Sequence, residues 1–136
     1  VVQFRIELAN FMYSVAVKDH IMIAHSFQGK VFGPAQKLHG ATYIVTAEFK
    51  VAQLDKDGLV IDIDKAITIL KEILAPLNYQ NLDTIEEFKG INTTTEYMAY
   101  YIHQQISKQV NSFFKGSLKI VLEESHIAWG SYESPV

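Results

Sequence analysis

The sequence predicts an α+β domain in which strand, strand, helix, helix, strand and strand follow one another, with two helices on one face of an antiparallel four-stranded sheet. Three observations carry that reading. Residues 39–50 alternate between an apolar and a mostly polar face, as a half-buried strand does. Two later stretches repeat their apolar residues at helical spacing. The strands come in groups separated by a run of helices, which excludes a doubly wound parallel sheet.

The elements read as follows. Residues 11–27 are rich in Val, Ile, Met and Tyr and form the first strand, with Lys18-Asp19-His20 breaking the pattern and predicting a bulge. Residues 28–37 hold Gly29, Gly33 and Pro34, which is turn chemistry. In 39–50, Tyr43, Val45, Ala47 and Phe49 share one face and Thr42, Thr46, Glu48 and Lys50 the other, completing a long hairpin. Asp55-Lys56-Asp57-Gly58 is a second turn, followed by a short apolar run at 59–61. Asp62 or Asp64 then caps a helix with Ala66, Ile67, Ile69, Leu70, Ile73 and Leu74 on its apolar side, ended by Pro76. Thr93 and Glu96 have capping-box spacing and open a longer helix with the stripe Ala99, Ile102, Ile106 and Val110. It ends near Phe113 and Phe114, before Gly116, and two strands follow at about 117–124 and 127–133.

Composition narrows the function classes. The 136 residues contain no repeat, low-complexity tract or linker, so a single domain over 1–136 is expected. Apolar residues make up 49% and aromatics 12%, enough for a core without metal or disulfide support. A net charge of −3 with 12 scattered basic residues argues against a nucleic-acid partner. With no cysteine there is neither a disulfide nor a thiolate nucleophile or base. No stretch approaches the ~18 apolar residues of a membrane span, and no signal-peptide pattern is visible, so a cytoplasmic protein is expected. The sequence begins on Val rather than Met, and a few further residues are expected upstream. Helices on one face leave the other sheet face in need of a partner, which predicts a homo-oligomer.

Glu124 leads the candidate residues. It follows Leu118, Ile120 and Leu122 on the apolar parity of its strand, whereas Glu123 shares the other face with Lys119 and Val121. A carboxylate on an apolar face needs donors, and the adjacent N–H groups of a pterin- or guanine-like edge suit a bidentate acceptor. The plain alternative is a solvated or ion-paired strand-end carboxylate. His25 and His39 stand at facing ends of the hairpin, each on an apolar parity. Two imidazoles do not make a catalytic zinc site, which takes three protein ligands and an open position. His20 has the wrong parity to be the third, His126 is the best substitute, and His103 lies mid-helix beside Ile102 as an ordinary residue.

Over nearly its whole length the sequence resembles the 6-pyruvoyl tetrahydropterin synthase and 6-carboxytetrahydropterin synthase family. The segments that carry the resemblance are IAHSF at 23–27, KLHGATY at 37–43, LVIDID at 59–64, PLNYQNLD at 76–83, NTTTEYMA at 92–99 and LEESHIAWGSY at 122–132. The resemblance implies the tunnelling fold, sheets paired between subunits into a barrel, a hexameric assembly and a ring bound at subunit interfaces. It also implies that the family's pterin-anchoring glutamate is Glu124 and that Thr94, Thr95 and Glu96 border the ring. The family's zinc ligands fall on His25 and on a His-Gly-His motif that here is His39-Gly40-Ala41, so the third ligand is missing. The catalytic cysteine position holds Ala35, and the assisting aspartate-histidine pair is Asn78-Tyr79. Residues 28–47 contain no Asp or Glu to substitute for the cysteine. Lys37 would need its pKa lowered by several units, and Tyr79 starts from a pKa near ~10.

Three functional readings follow. The first is a protein that binds a pterin- or purine-like ring through Glu124, with Thr94, Thr95, Glu96, His25 and His39 around it, no zinc, and no family lyase activity. The alternative is an active pterin lyase with a reassigned set of His25, His39, His126 and Tyr79, in which any metal would sit on His25, His39 and His126. A purely structural oligomer is the third reading.

Overall fold

The computed structural model describes residues 12–136. Strands β1 (Tyr13–His25) and β2 (His39–Val51) pair antiparallel in one unbroken register, from Tyr13 opposite Val51 to His25 opposite His39. The expected start of β1 at Phe11 lies outside the described residues. The expected bulge at Lys18-Asp19-His20 is absent: Lys18 pairs with Thr46, Asp19 with Val45 and His20 with Ile44. Lys18 and His20 keep the strict alternation and point to the exposed side, while the half-buried Asp19 accepts the His20 backbone N–H at 2.8 Å. A local donor for that one carboxylate makes an extra residue unnecessary.

The connecting turn, Lys30–Gln36, uses Gly29 and Gly33 at positive φ of 131° and 51°. Helix α1 (Ile63–Leu74) takes its cap from Asp62, whose carboxylate accepts the Lys65 N–H at 3.2 Å. The apolar run 59–61 forms no strand; instead Ile61 is buried beside α1. Helix α2 (Thr95–Val110) is capped by Thr94, one residue later than its spacing predicts. The capping box does not form: with Thr94 as the cap the third helical position is Tyr97 rather than Glu96, and the Thr94 N–H donates to the Asn92 carbonyl instead.

The sheet corrects the expected four strands. A two-residue strand β3 (Gln80–Asn81) lies parallel to β1, and with β4 (Ser117–Ser125) and β5 (Ala128–Pro135) the order is β3-β1-β2-β4-β5. The Met22 N–H donates to Asn78 Oδ1 at 3.0 Å, and the Tyr79 N–H donates to the Met22 carbonyl at 2.7 Å. These two bonds lay the segment along the edge of β1. A two-residue strand has no periodicity to read.

Both helices cover the same sheet face, as α+β architecture requires. Tyr43, Val45, Ala47, Phe49, Leu118, Ile120 and Leu122 are buried there against Leu70 and Leu74 of α1 and Ala99, Ile102 and Ile106 of α2. Each of the larger of these side chains contributes ~1.5–3 kcal/mol on burial, and each alanine less. The buried His103 belongs to this framework: its Nε2–H donates to the Ser134 carbonyl at 3.2 Å and its Nδ1 accepts from Ser107 at 3.3 Å. Among the described residues nothing covers the opposite sheet face, where Met22, Thr42 and Ile44 are exposed.

Candidate functional site

The site begins with one unpaired residue. In the β4–β5 ladder Leu122 faces Gly130 and Glu123 faces Trp129, but the next pair is Ser125 with Ala128. One extra residue therefore sits in β4, and it is Glu124. A bulge re-aims its side chain, so Glu124 is not buried with Leu118, Ile120 and Leu122 as the parity predicts. It is exposed at the strand end. There it lines a cleft of about 230 Å³ with Thr95, Glu96, Ala128, Trp129 and Gly130. Gly130 permits the close approach of β5 to the start of α2, since a Cβ there would lie 3.1 Å from Thr95 Cγ2.

The segment 92–95 ties this cleft to the end of the hairpin. Asn92 grips the Gln28 backbone at both ends, accepting its N–H at 2.8 Å and donating to its carbonyl at 3.0 Å. The buried Thr93 meets His25 Nδ1 with its hydroxyl at 3.0 Å. Thr94 accepts the Tyr97 N–H at 3.2 Å, so part of its hydrogen-bonding capacity is spent on capping α2. Thr95 and Glu96 then face the cleft.

At the hairpin end, His25 is only 2% exposed and packs edge-on to His39 and tilted on Phe27, both with ring centroids 4.6 Å away. Burial, and next the neighbouring His39, push its pKa below the usual histidine value. His39 donates Nδ1–H to the Lys37 carbonyl at 2.8 Å, which leaves Nε2 as its only lone-pair nitrogen. The third position of the histidine motif is the methyl of Ala41, and among the described residues no three His, Asp or Glu side chains group closely enough to hold a metal ion. This donor set does not fit a catalytic zinc.

The reassigned set is split across the molecule. His126 is exposed on the β4–β5 turn, whereas Tyr79 stands at the opposite end of the sheet order, 77% exposed and in the left-handed region at φ 62°. Asn78 is committed to the Met22 backbone. Ala35 brings only its carbonyl, which accepts the Phe27 N–H at 3.1 Å.

Tyr43 is the residue the sequence reading assigned to the core alone. It is 1% exposed, yet its phenol lies within the electrostatic reach of Thr95, Glu124 and Glu96. Burial first, and then the two carboxylates, push its pKa up to about 12 against the opposing influence of Thr95. The available signal was its place on the His39 parity, where a polar tip on a buried ring calls for a partner.

The sequence model of a family described as 6-pyruvoyl tetrahydropterin synthase matches residues 14–135. A 6-pyruvoyl tetrahydrobiopterin synthase of Dictyostelium discoideum is 31% identical over 86 residues, which is 62% of this chain and 64% of that protein. The chain thus aligns with a little under two thirds of that relative's length. Among solved structures, the Caenorhabditis elegans 6-pyruvoyl tetrahydropterin synthase superposes with a TM-score of 0.79 at 21% identity, covering 90% of this chain and 96% of the other. The Plasmodium falciparum enzyme gives a TM-score of 0.75 at 17% identity, covering 93% and 100%.

Proposed function

This chain belongs to the 6-pyruvoyl tetrahydropterin synthase family, a tunnelling fold, and we propose that within it the protein binds the edge of a pterin- or purine-like ring at Glu124 without the family's zinc-dependent lyase chemistry. The observation that carries the reading is the β4 bulge, which puts the Glu124 carboxylate on the same cleft as Thr95 and Glu96. A carboxylate with free lone pairs is a bidentate acceptor for an amino group and an adjacent ring N–H. Glu96 on the same cleft further favours a donor-rich edge and disfavours an anionic one. The cleft is smaller than the ~300–1,000 Å³ typical of a small-molecule site, which suits a pocket completed by another subunit. A homo-oligomer, hexameric as in the resemblance, and a cytoplasmic single domain belong to the same reading.

Lyase chemistry needs a proton-transfer group poised near working pH and, in this family, a metal to polarise the substrate. Among the described residues neither is supplied at the family's positions: Ala35 has no functional group, Asn78 is engaged by backbone, and Ala41 offers no third ligand. In this reading His25 and His39 stand toward the ring's far side, with His25 held neutral by burial and by its neighbour His39.

Native mass spectrometry of the purified protein with a panel of pterins and guanine derivatives, beside metal analysis after dialysis against a weak chelator, tests this. The expected result is ring binding to an oligomer with far less than one zinc per subunit. Stoichiometric zinc lost on changing His25 or His39 would restore the lyase reading, and no ring binding would leave the structural one.

A further inference from the structure

Between β2 and α1 the chain makes a turn whose tip is Asp57-Gly58, with both residues exposed. Aspartate before glycine is the pair most open to backbone rearrangement, because glycine has no Cβ to shield its amide nitrogen. The Gly58 nitrogen attacks Cγ of the protonated Asp57 side chain and a C–N bond forms. Water leaves, made from a carboxyl oxygen, its proton and the amide proton, and the product is a succinimide. Water then reopens the ring. Breaking the new bond restores aspartate, whereas breaking the original peptide bond leaves the chain running through Cγ as isoaspartate. The sum is an isomerisation and needs no other reactant. It lengthens the main chain by one carbon just ahead of the buried Ile61 and of Asp62, the cap of α1.

We propose that Asp57-Gly58 is a site of isoaspartate formation, which the folded turn restrains through the positioning residue Asp55. Attack requires the Gly58 nitrogen to give up its proton and to approach Asp57 Cγ. In the turn that N–H donates to the Asp55 carbonyl at 3.0 Å. The neighbouring peptide units are held by the same residue, since Asp55 Oδ1 accepts the Asp57 N–H at 2.8 Å and the Leu59 N–H at 3.0 Å. The Asp55 N–H donates to the Leu59 carbonyl at 3.0 Å and closes the loop. Gly58 sits at a positive φ of 81°, which glycine adopts without a steric penalty. Reaction therefore waits on local opening, and its rate follows the open fraction of the turn. The Asp55 carboxylate supplies two of these four bonds. Its removal loosens the turn and spares the core, because residues 52–59 are all exposed.

The test is to age the full chain at neutral pH and to measure isoaspartate at position 57 by peptide mapping. A synthetic peptide of residues 53–60 serves as the unfolded reference. The folded chain is expected to accumulate isoaspartate about tenfold more slowly than the peptide. Asp55→Ala should accelerate it about fivefold over wild type, the worth of about one lost hydrogen bond. Asp55→Asn keeps the acceptor oxygen and should stay within about twofold of wild type. Hydrogen exchange supplies a second readout: the Gly58 and Leu59 amides should exchange faster in Asp55→Ala, with the helix amides unchanged. Wild type ageing as fast as the peptide would overturn the inference, and that comparison decides alone if Asp55→Ala fails to fold. Asp55→Ala no faster than wild type, or Asp55→Asn as fast as Asp55→Ala, would overturn the role given to the Asp55 acceptor.

Discussion

Glu124 changes side because a single residue of β4 has no partner on β5. Its parity singles it out, since a glutamate continuing the series Leu118, Ile120, Leu122 is anomalous on an apolar face. The bulge that resolves the anomaly was not legible, because bulges depend on the pairing of two strands and parity on only one. The histidines behave the other way. His25 and His39 were legible as neighbours across the hairpin, and they pair in register with rings 4.6 Å apart. Their histidine-to-threonine and histidine-to-carbonyl partners, Thr93 and Lys37, depend on backbone geometry that no spacing rule supplies. His25 yields a pH prediction. Its folded pKa lies below the unfolded value of 6.5, so the unfolded chain takes up the proton first as pH falls. The stabilisation is therefore whole above about pH 6.5 and declines through the window between 6.5 and the folded pKa. Thermal melts across mildly acidic to neutral pH should show a steeper acid-side fall for wild type than for His25→Gln. Parallel curves would mean that His25 titrates alike in both states.

The elements were the most legible level, and the misses are physical ones. Residues 39–50 alternate cleanly and form β2, and the helical stripes at 66–74 and 99–110 lie in α1 and α2. The cap of α2 was misplaced by one residue because three consecutive threonines offer equivalent hydroxyls, and tertiary structure claims Thr93 for His25. Thr94→Ala should therefore cost ~1 kcal/mol in urea unfolding, with Thr94→Ser close to neutral. Glu96→Ala should change stability by less than ~0.5 kcal/mol, since no capping box depends on it. A Glu96→Ala loss as large as that of Thr94→Ala would show that the box forms after all. The start of β4 depends on Gly116. An added methyl there would overlap the Lys50 carbonyl oxygen and press on Phe114 at 2.9 Å. Gly116→Ala is expected to destabilise by ~1–3 kcal/mol, read from the denaturation midpoint, and an unchanged midpoint would contradict the packing described.

For the whole molecule, the helices cover one sheet face and leave Met22 and Ile44 exposed on the other, 48% and 43% accessible. The hexamer inferred by resemblance would cover such surface and close the small Glu124 cleft. Sedimentation velocity should then give a particle several times the 15.4 kDa chain mass, and a monomer at micromolar concentration would remove that part of the account. The architecture was legible in the order of elements, apart from the short β3, while of the site only the shared cleft of Glu124, Thr95 and Glu96 was legible. The central claim is that Glu124 accepts two hydrogen bonds from a ring edge. Calorimetric titration of Glu124→Gln and Glu123→Gln with a pterin, beside an analogue lacking the 2-amino group, tests it most directly. Glu124→Gln sets a donor against a donor and should weaken pterin binding by about 10- to 100-fold, whereas Glu123→Gln on the other face should leave it nearly unchanged. The analogue should bind wild type weakly and lose little more in Glu124→Gln. Equal losses from the two variants, or equal affinity for the two ligands, would make Glu124 a solvated strand-end carboxylate and contradict the account.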